Sequence, residues 1–368
     1  MPKVATCLIA SLLAAPCLWD TDTIDTELRG LPDALDLVTG RWHRHGEAYY
    51  RERVERLGKA TDLSLADHDD LAVAYEKLGD QTAALAVMAR KGERLAVTPD
   101  ADHEYRRLAN VGTFHAHAGR YDEALAALRA AVALNPAAHF GREKYQIAVI
   151  EIVQKAQARP ELLRETSLLN QVEPGVDLGF FYLFRGEGRR LLPDGVYQGV
   201  AGMVRFGGRD SALLFGLLGE VFLARGDLNL AWWALQRAVE RGHPASDHIR
   251  QHLRGLEEHW RDGFFPTNSR VAIPTLDLYQ KVRANADRWL ATFQELEAAA
   301  LLRGDDVRSD AAVAALVAEA DRRVPRVSLP MSLGWWDSFF LVCLLAGGGG
   351  LVVQTVRARR RRAMPPSA

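Results

Sequence analysis

The chain is poor in cysteine: three in 368 residues, at Cys7, Cys17 and Cys343. None falls in the long stretch between the two ends, so no disulfide framework holds that body together. Its stability comes from packing, for which roughly 320 residues are ample. Basic excess is missing too. The whole chain carries −1, while Lys3 and five arginines in the last twelve residues contribute +6, leaving residues 18–356 at −7. An acidic body lacks the basic face that nucleic acid demands. No stretch alternates apolar and polar residues in the manner of a strand.

Chemical signatures are equally scarce. There is no Gly-x-Ser-x-Gly, and the body offers no cysteine nucleophile. Gly186 and Gly188 do not extend into a phosphate loop, and no strand precedes them. Asp20, Asp22 and Asp25 cluster, and carboxylates at alternate positions can ligate calcium, but the sixth-position glycine is missing and Glu27 comes too early to close the loop. Capping and solvation are the expected roles of these aspartates. His43/His45 and His115/His117 are spaced to diverge on a helix. His248 and His252 sit four apart and could share a metal, yet no third ligand accompanies them. Glu257-Glu258-His259 is the kind of triple any charged helix offers. The expectation is a chain with no metal, no cofactor and no catalytic residue.

One long uncharged run is present. Residues 338–356 read Ser-Phe-Phe-Leu-Val-Cys-Leu-Leu-Ala-Gly-Gly-Gly-Gly-Leu-Val-Val-Gln-Thr-Val, followed by Arg357 and by Arg359, Arg360, Arg361 and Arg362. A helix of about 20 apolar residues spans the hydrocarbon core, where no water satisfies backbone groups. Trp335 and Trp336 precede it, where rings favour the headgroup layer, and the arginines hold the tail in the cytoplasm. A buried core helix would not abut five arginines. The glycines 347–350 weaken the helix by about 1 kcal/mol each relative to alanine. Such tails also resemble bacterial sorting signals, but the short motif ahead of the helix is missing.

Residues 1–17 read as a signal peptide, with Lys3 as the positive region and residues 4–15 as the apolar one. Ala15 and Cys17 satisfy the small-residue rule for cleavage before Leu18, and residues 13–17 faintly resemble a lipobox. The two ends predict a single-pass type I cell-membrane protein. Residues 18–337 are exported, periplasmic or otherwise extracytoplasmic, 326–337 form a linker, and 357–368 form a cytoplasmic tail.

The body contains repeats. In 103–136, Gly112, Gly119, Ala124, Ala131 and Pro136 follow one another at intervals of seven, five, seven and five. In 211–244, Gly219, Gly226, Ala231 and Ala238 keep that spacing, with Pro244 one residue late. In 66–99, Ala72, Gly79 and Ala84 keep part of it, Lys91 stands at the later alanine, and Pro99 follows. This pattern resembles the tetratricopeptide repeat. The resemblance implies antiparallel helix pairs: Gly79, Gly119 and Gly226 in the turns, the alanines and Gly112 and Gly219 where helices approach closely, prolines at the ends. Residues 18–23, 138–145 and 203–208 are further similar to an uncharacterised family of exported bacterial repeat proteins. The expected fold is all-α, a solenoid of helical hairpins with one C-terminal transmembrane helix. Residues 18–160 form an N-terminal repeat region with a helix over 139–157, and 31–57 also read as helical. Residues 161–210 are broken by glycine and proline. The region 211–325 holds a last repeat and helices over Leu276–Leu302 and Asp310–Arg323.

The resemblance implies a protein or peptide partner bound on the concave face. The positions it exposes there are Arg106, Thr113 and His117 in the middle repeat, Asp69, Val73, Glu76 and Lys77 in the first, and Leu213, Glu220 and Leu223 in the last. Ala109 and Thr113 replace the lysine and asparagine with which some such proteins clamp a C-terminal carboxylate. The alternative is an enzyme or small-molecule carrier with a site in the irregular zone 160–210.

Overall fold

The computed structural model describes residues 18–28, 31–136, 138–165, 167–174, 176, 192–193, 195–207, 210–261 and 274–329. Among them the chain is all helical, with no strand. The leader 1–17, the apolar run 338–356 and the tail 357–368 lie outside the described residues. No described helix is long and apolar enough to cross a membrane.

Among the described residues, short helices α1 (Thr21–Leu28) and α2 (Ala34–Thr39) come first, followed by α3 (Glu47–Gly58). The span 31–57 is therefore two helices and not one. Gly40, at φ 82°, ends α2 in a left-handed cap, and residues 41–46 run on as a loop. Two hairpins follow, α4 (Leu65–Lys77) with α5 (Gln81–Val97), and α6 (Ala101–His117) with α7 (Tyr121–Leu134). Each first helix is started by a side-chain cap. Ser64 and Asp67 form a reciprocal capping box at α4, and Asp100 accepts from the His103 amide at α6.

The turns inside these hairpins are alike. The amide of Asp80 bonds the Tyr75 carbonyl while that of Gly79 bonds Glu76; Arg120 and Gly119 do the same to His115 and Ala116. This is the Schellman closure, which needs a left-handed residue and explains glycine at both turns. Ala84 and Ala124 lie one turn into the second helix and are fully buried, as is Ala131. Pro136 follows the end of α7 and is exposed.

After a 3₁₀ turn (Ala138–Gly141), α8 (Arg142–Ala158) packs on α7, and short helices α9 (Leu162–Glu165) and α10 (Leu168–Val172) lie against it. The next described helix, α11 (Val196–Phe206), pairs with α8, and a β-carbon at Gly199 would stand 2.4 Å from the Tyr145 ring. Then comes a third hairpin, α12 (Ala212–Arg225) with α13 (Leu228–Glu240), closed by the same turn at Gly226 with Ala231 and Ala238 fully buried. Helix α14 (Ser246–Arg261) packs on α13.

From α3 to α14 the helices pack largely in sequence order, whereas α2 packs on α13, and the largest apolar cluster runs from α2 and α7 through α8, α11, α12 and α13 to α14. Long α15 (Leu276–Leu302) breaks that order. It returns to pack on α2 and α3, and α16 (Asp310–Arg323) covers its other side. Loop 41–46 is thereby gripped from several directions. Arg41 donates to Asn285 at 2.6 Å, the Gly46 amide to Glu297 at 2.7 Å, Gln294 to the Arg44 carbonyl, and Arg205 of α11 to the His43 carbonyl.

Candidate functional site

The first helices of the two N-terminal hairpins, α4 and α6, turn one face toward residues 18–22. The contacts come from Asp70 of α4 and from Tyr105, Arg106, Asn110 and Phe114 of α6, while Asp69, Val73, Glu76 and Thr113 on the same helices are buried too. Residues 18 and 19 precede the bonds of α1, which begin where the Asp20 carbonyl accepts from the Ile24 amide. A free amide and carbonyl cannot be buried without partners. Asn110 supplies both for Trp19: its Oδ1 accepts from the Trp19 amide at 2.8 Å and its Nδ2 donates to the Trp19 carbonyl at 2.9 Å. Asp70 accepts from the Thr21 amide at 2.8 Å.

Side chains complete the contact. Leu18, 1 % exposed, enters the apolar cluster of α3, α4, α5 and Phe114. The Trp19 ring meets Tyr105 edge-on at 5.4 Å and lies under the Arg106 guanidinium at 5.5 Å. Asp20 and Asp22 fork onto Arg53 of α3, at 3.1 and 2.7 Å, and Tyr49 donates to Asp22. His45 stacks on Tyr49 at 3.8 Å and bonds Glu297 at 2.5 Å.

Enclosing this much charge shifts its titration. Burial, then the charge of Asp20, raises the Asp22 carboxyl; burial pushes Asp70 up to about 6 against the pull of Arg53. Burial alone would lower the Arg53 guanidinium, but Asp22 and Asp20 outweigh it and hold it well above its ordinary value. Burial brings the Lys77 amine down to about 8.

Several residues expected to face an open groove have protein partners instead. Thr113 is fully buried, with the Gln146 amide 3.4 Å from its hydroxyl. Glu76 and His117 meet each other at 2.5 Å, each side chain 2 % exposed. Glu220 accepts from the Ser167 hydroxyl at 2.9 Å and the Leu169 amide at 2.6 Å, joining the start of α10 to α12; burial pushes its carboxyl up to about 7. Asp69, Val73 and Leu213 are buried as well. Arg106 and Lys77 keep partial exposure, and Arg106 pairs with Asp102. No single cover accounts for them. Thr113 meets Gln146 of α8, Asp69 meets Lys91 of α5, and Glu220 meets Ser167 and Leu169 at the start of α10, none of which the repeat pattern announces. Asp20 is likewise corrected: it is 3 % exposed and ion-paired, though it also caps α1 by accepting from the Thr23 amide.

Arg53, Tyr49 and Asn110 escaped the sequence reading. The available signal was Asn110 itself, a polar residue one turn before Thr113 on the inner side of the first helix. A second polar centre was also missed. Arg237 of α13 pairs with Asp210 and Glu240, Arg44 reaches Asp210 at 3.1 Å, and Arg283 of α15 reaches Glu240, Asp287 and the Thr39 carbonyl. This network ties the last hairpin to the N-terminal loop. The cavity beside it, about 250 Å³, is lined by Arg41, Trp42, His43, Arg205, Trp289 and Arg326 among others. Asp36 pairs with Arg326 and Asp321 with Arg41, while Arg205 donates to the His43 carbonyl and lies over the Trp42 ring. The described residues hold no group of three or more histidine, cysteine or acidic side chains placed for a metal.

Comparison with protein families, with curated proteins and with solved structures finds no match. The class defined by the geometry alone is an all-helical protein of sequentially packed hairpins, with a peptide-like segment of its own chain held on the first-helix faces.

Proposed function

We propose that this chain is a membrane-anchored, exported interaction scaffold of tetratricopeptide type, which binds a protein or peptide partner on the inner faces of its hairpins. One observation carries the reading. Asn110 holds both backbone groups of Trp19 with a single carboxamide, in the way a peptide-binding surface takes hold of main chain whatever its side chains. Repeated closures at Gly79, Gly119 and Gly226 support the repeat architecture. The anchor rests on residues 338–356 and their arginines, the exported side on residues 1–17.

Affinity capture from detergent extracts tests it. Specific polypeptides should be recovered with the full chain and lost when Arg106 and Asn110 are replaced by alanine together. Recovery unchanged by that double variant refutes the assignment of the surface. Protease added to intact spheroplasts should digest the body and spare a tag fused after Ala368; digestion of the tag would reverse the topology.

A second reading is favoured by Glu220, whose carboxyl is pushed up to about 7 beside the irregular zone. A group poised there suits proton transfer in an enzyme or carrier. A ligand of the zone whose binding changes on Glu220→Gln would select this reading.

A further inference from the structure

Residues 18–22 meet their surface as a bound peptide meets a receptor. Most of the body is held by apolar contacts between helices adjacent in sequence, whereas this segment, the lead-in and first turn of α1, is held across ranges of 31 to 91 residues by groups that bond both its main chain and its side chains. Main-chain bonds from Asn110 and Asp70 fix its register. Four of its side chains are then read in succession: an apolar pocket takes Leu18, Tyr105 and Arg106 take Trp19, and Arg53 takes the carboxylates of Asp20 and Asp22. Main chain for affinity and alternate side chains for specificity is the division of labour found in peptide recognition.

We propose that the surface formed by α3, α4 and α6 is a peptide site occupied by the chain's own residues 18–22. A partner gains the site by presenting the same chemistry, an aliphatic residue, an aromatic one and two carboxylates at alternate positions, and displaces the segment. The inference rests on the scaffold reading and names its ligand. The charges on the site fit this occupant. Arg53 meets two carboxylates of the segment at once, and a neutral or basic peptide would leave it only Asp70, 4.0 Å away, as an anionic partner inside the protein. Because the tether raises the local concentration of residues 18–22, a free peptide competes at a disadvantage. Weakening the tethered copy should therefore reveal the site.

The test uses the full chain in detergent and a labelled synthetic peptide, Leu-Trp-Asp-Thr-Asp-Thr. The Trp19→Ala chain should bind it saturably, at least tenfold tighter than the unaltered chain does. A peptide with both aspartates changed to asparagine, or the added substitution Asn110→Ala, should weaken binding at least tenfold. No binding by a Trp19→Ala chain whose helical content is intact overturns the proposal. If that variant fails to fold, hydrogen exchange on the unaltered chain decides. The Trp19 and Thr21 amides should exchange at least tenfold faster than interior amides of α4 and α6, and faster again with excess peptide. Exchange in step with those helices makes the segment an inseparable part of the fold and overturns the proposal. Loss of this binding while a partner still crosslinks to the same face rejects the peptide chemistry and leaves the scaffold reading standing.

Discussion

Gly112 and Leu128 are in contact so close that a β-carbon on Gly112 would stand 2.6 Å from the Leu128 γ-carbon. Gly219 and Leu235 repeat the relationship at 2.7 Å in the third hairpin. Both glycines lie inside a first helix, where glycine costs about 1 kcal/mol relative to alanine. Close approach of the paired helix is what that cost secures.

Gly112→Ala should accordingly destabilise the protein by about 1–2 kcal/mol, the overpacking outweighing the gain in helix propensity. Leu128→Ala alone should cost about 2–4 kcal/mol. The double variant should cost less than the two together, because the second change makes room for the first. Denaturant unfolding of the four proteins measures the coupling; strict additivity would mean the helices shift apart freely.

Lys91 occupies the position where the other two repeats have alanine, and it is fully buried against Asp69 at 2.6 and 2.7 Å. Removing one member of a buried pair strands the other. Lys91→Met should cost about 3–5 kcal/mol, and Lys91→Met with Asp69→Asn distinctly less. Equal losses would show that the methylene stem of Lys91, not its charge, matters.

The hairpins were legible because their cues are local. Gly119 and Gly226 mark turns, Ala124 and Ala231 mark close packing, and residues 276–302 keep an apolar stripe over their whole length. The burial of Glu76, His117 and Thr113 was not legible. Each occupies a first-helix position that the repeat pattern exposes, and only the fold brings His117 to Glu76, 41 positions away, and Gln146 to Thr113, 33 positions away. Lys91 shows the same limit. A lysine at an alanine position reads as a lapse of the repeat, and only the fold brings Asp69 to it.

Glu220 should make stability fall as the medium becomes more alkaline. Its ordinary value is 4.5 and its folded value about 7, so the folded chain holds the proton more tightly than the unfolded chain. The contribution is complete below 4.5 and is lost as pH rises to about 7, a loss of roughly 3 kcal/mol at most. Glu220→Gln keeps an acceptor for Ser167 and Leu169 and should flatten the profile in that window. Unfolding measured from pH 4.5 to 8 checks it; an unchanged slope would place the titration elsewhere.

His243 should behave in the opposite sense. Burial lowers its imidazole from 6.5 to about 4, and its ring accepts from the Ala245 amide at 3.0 Å. It stays neutral in the folded chain while the unfolded chain protonates, so its contribution is complete above 6.5 and is lost as pH falls toward 4. Carbon-13 labelling of histidine should show one imidazole whose resonance does not titrate between pH 7 and 5 and which disappears in His243→Gln.

Site-specific photo-crosslinking on the full chain in native membranes tests the scaffold account most directly. A benzophenone side chain at Asp102, exposed one turn before Arg106, should capture a discrete polypeptide. The same group at Leu134, exposed at the end of the second helix, should not. Capture at Asp102 that disappears on Asn110→Ala is the predicted result. Identical products from both positions, or none from Asp102 under conditions where the protein is folded and anchored, would contradict a partner held on the first-helix faces.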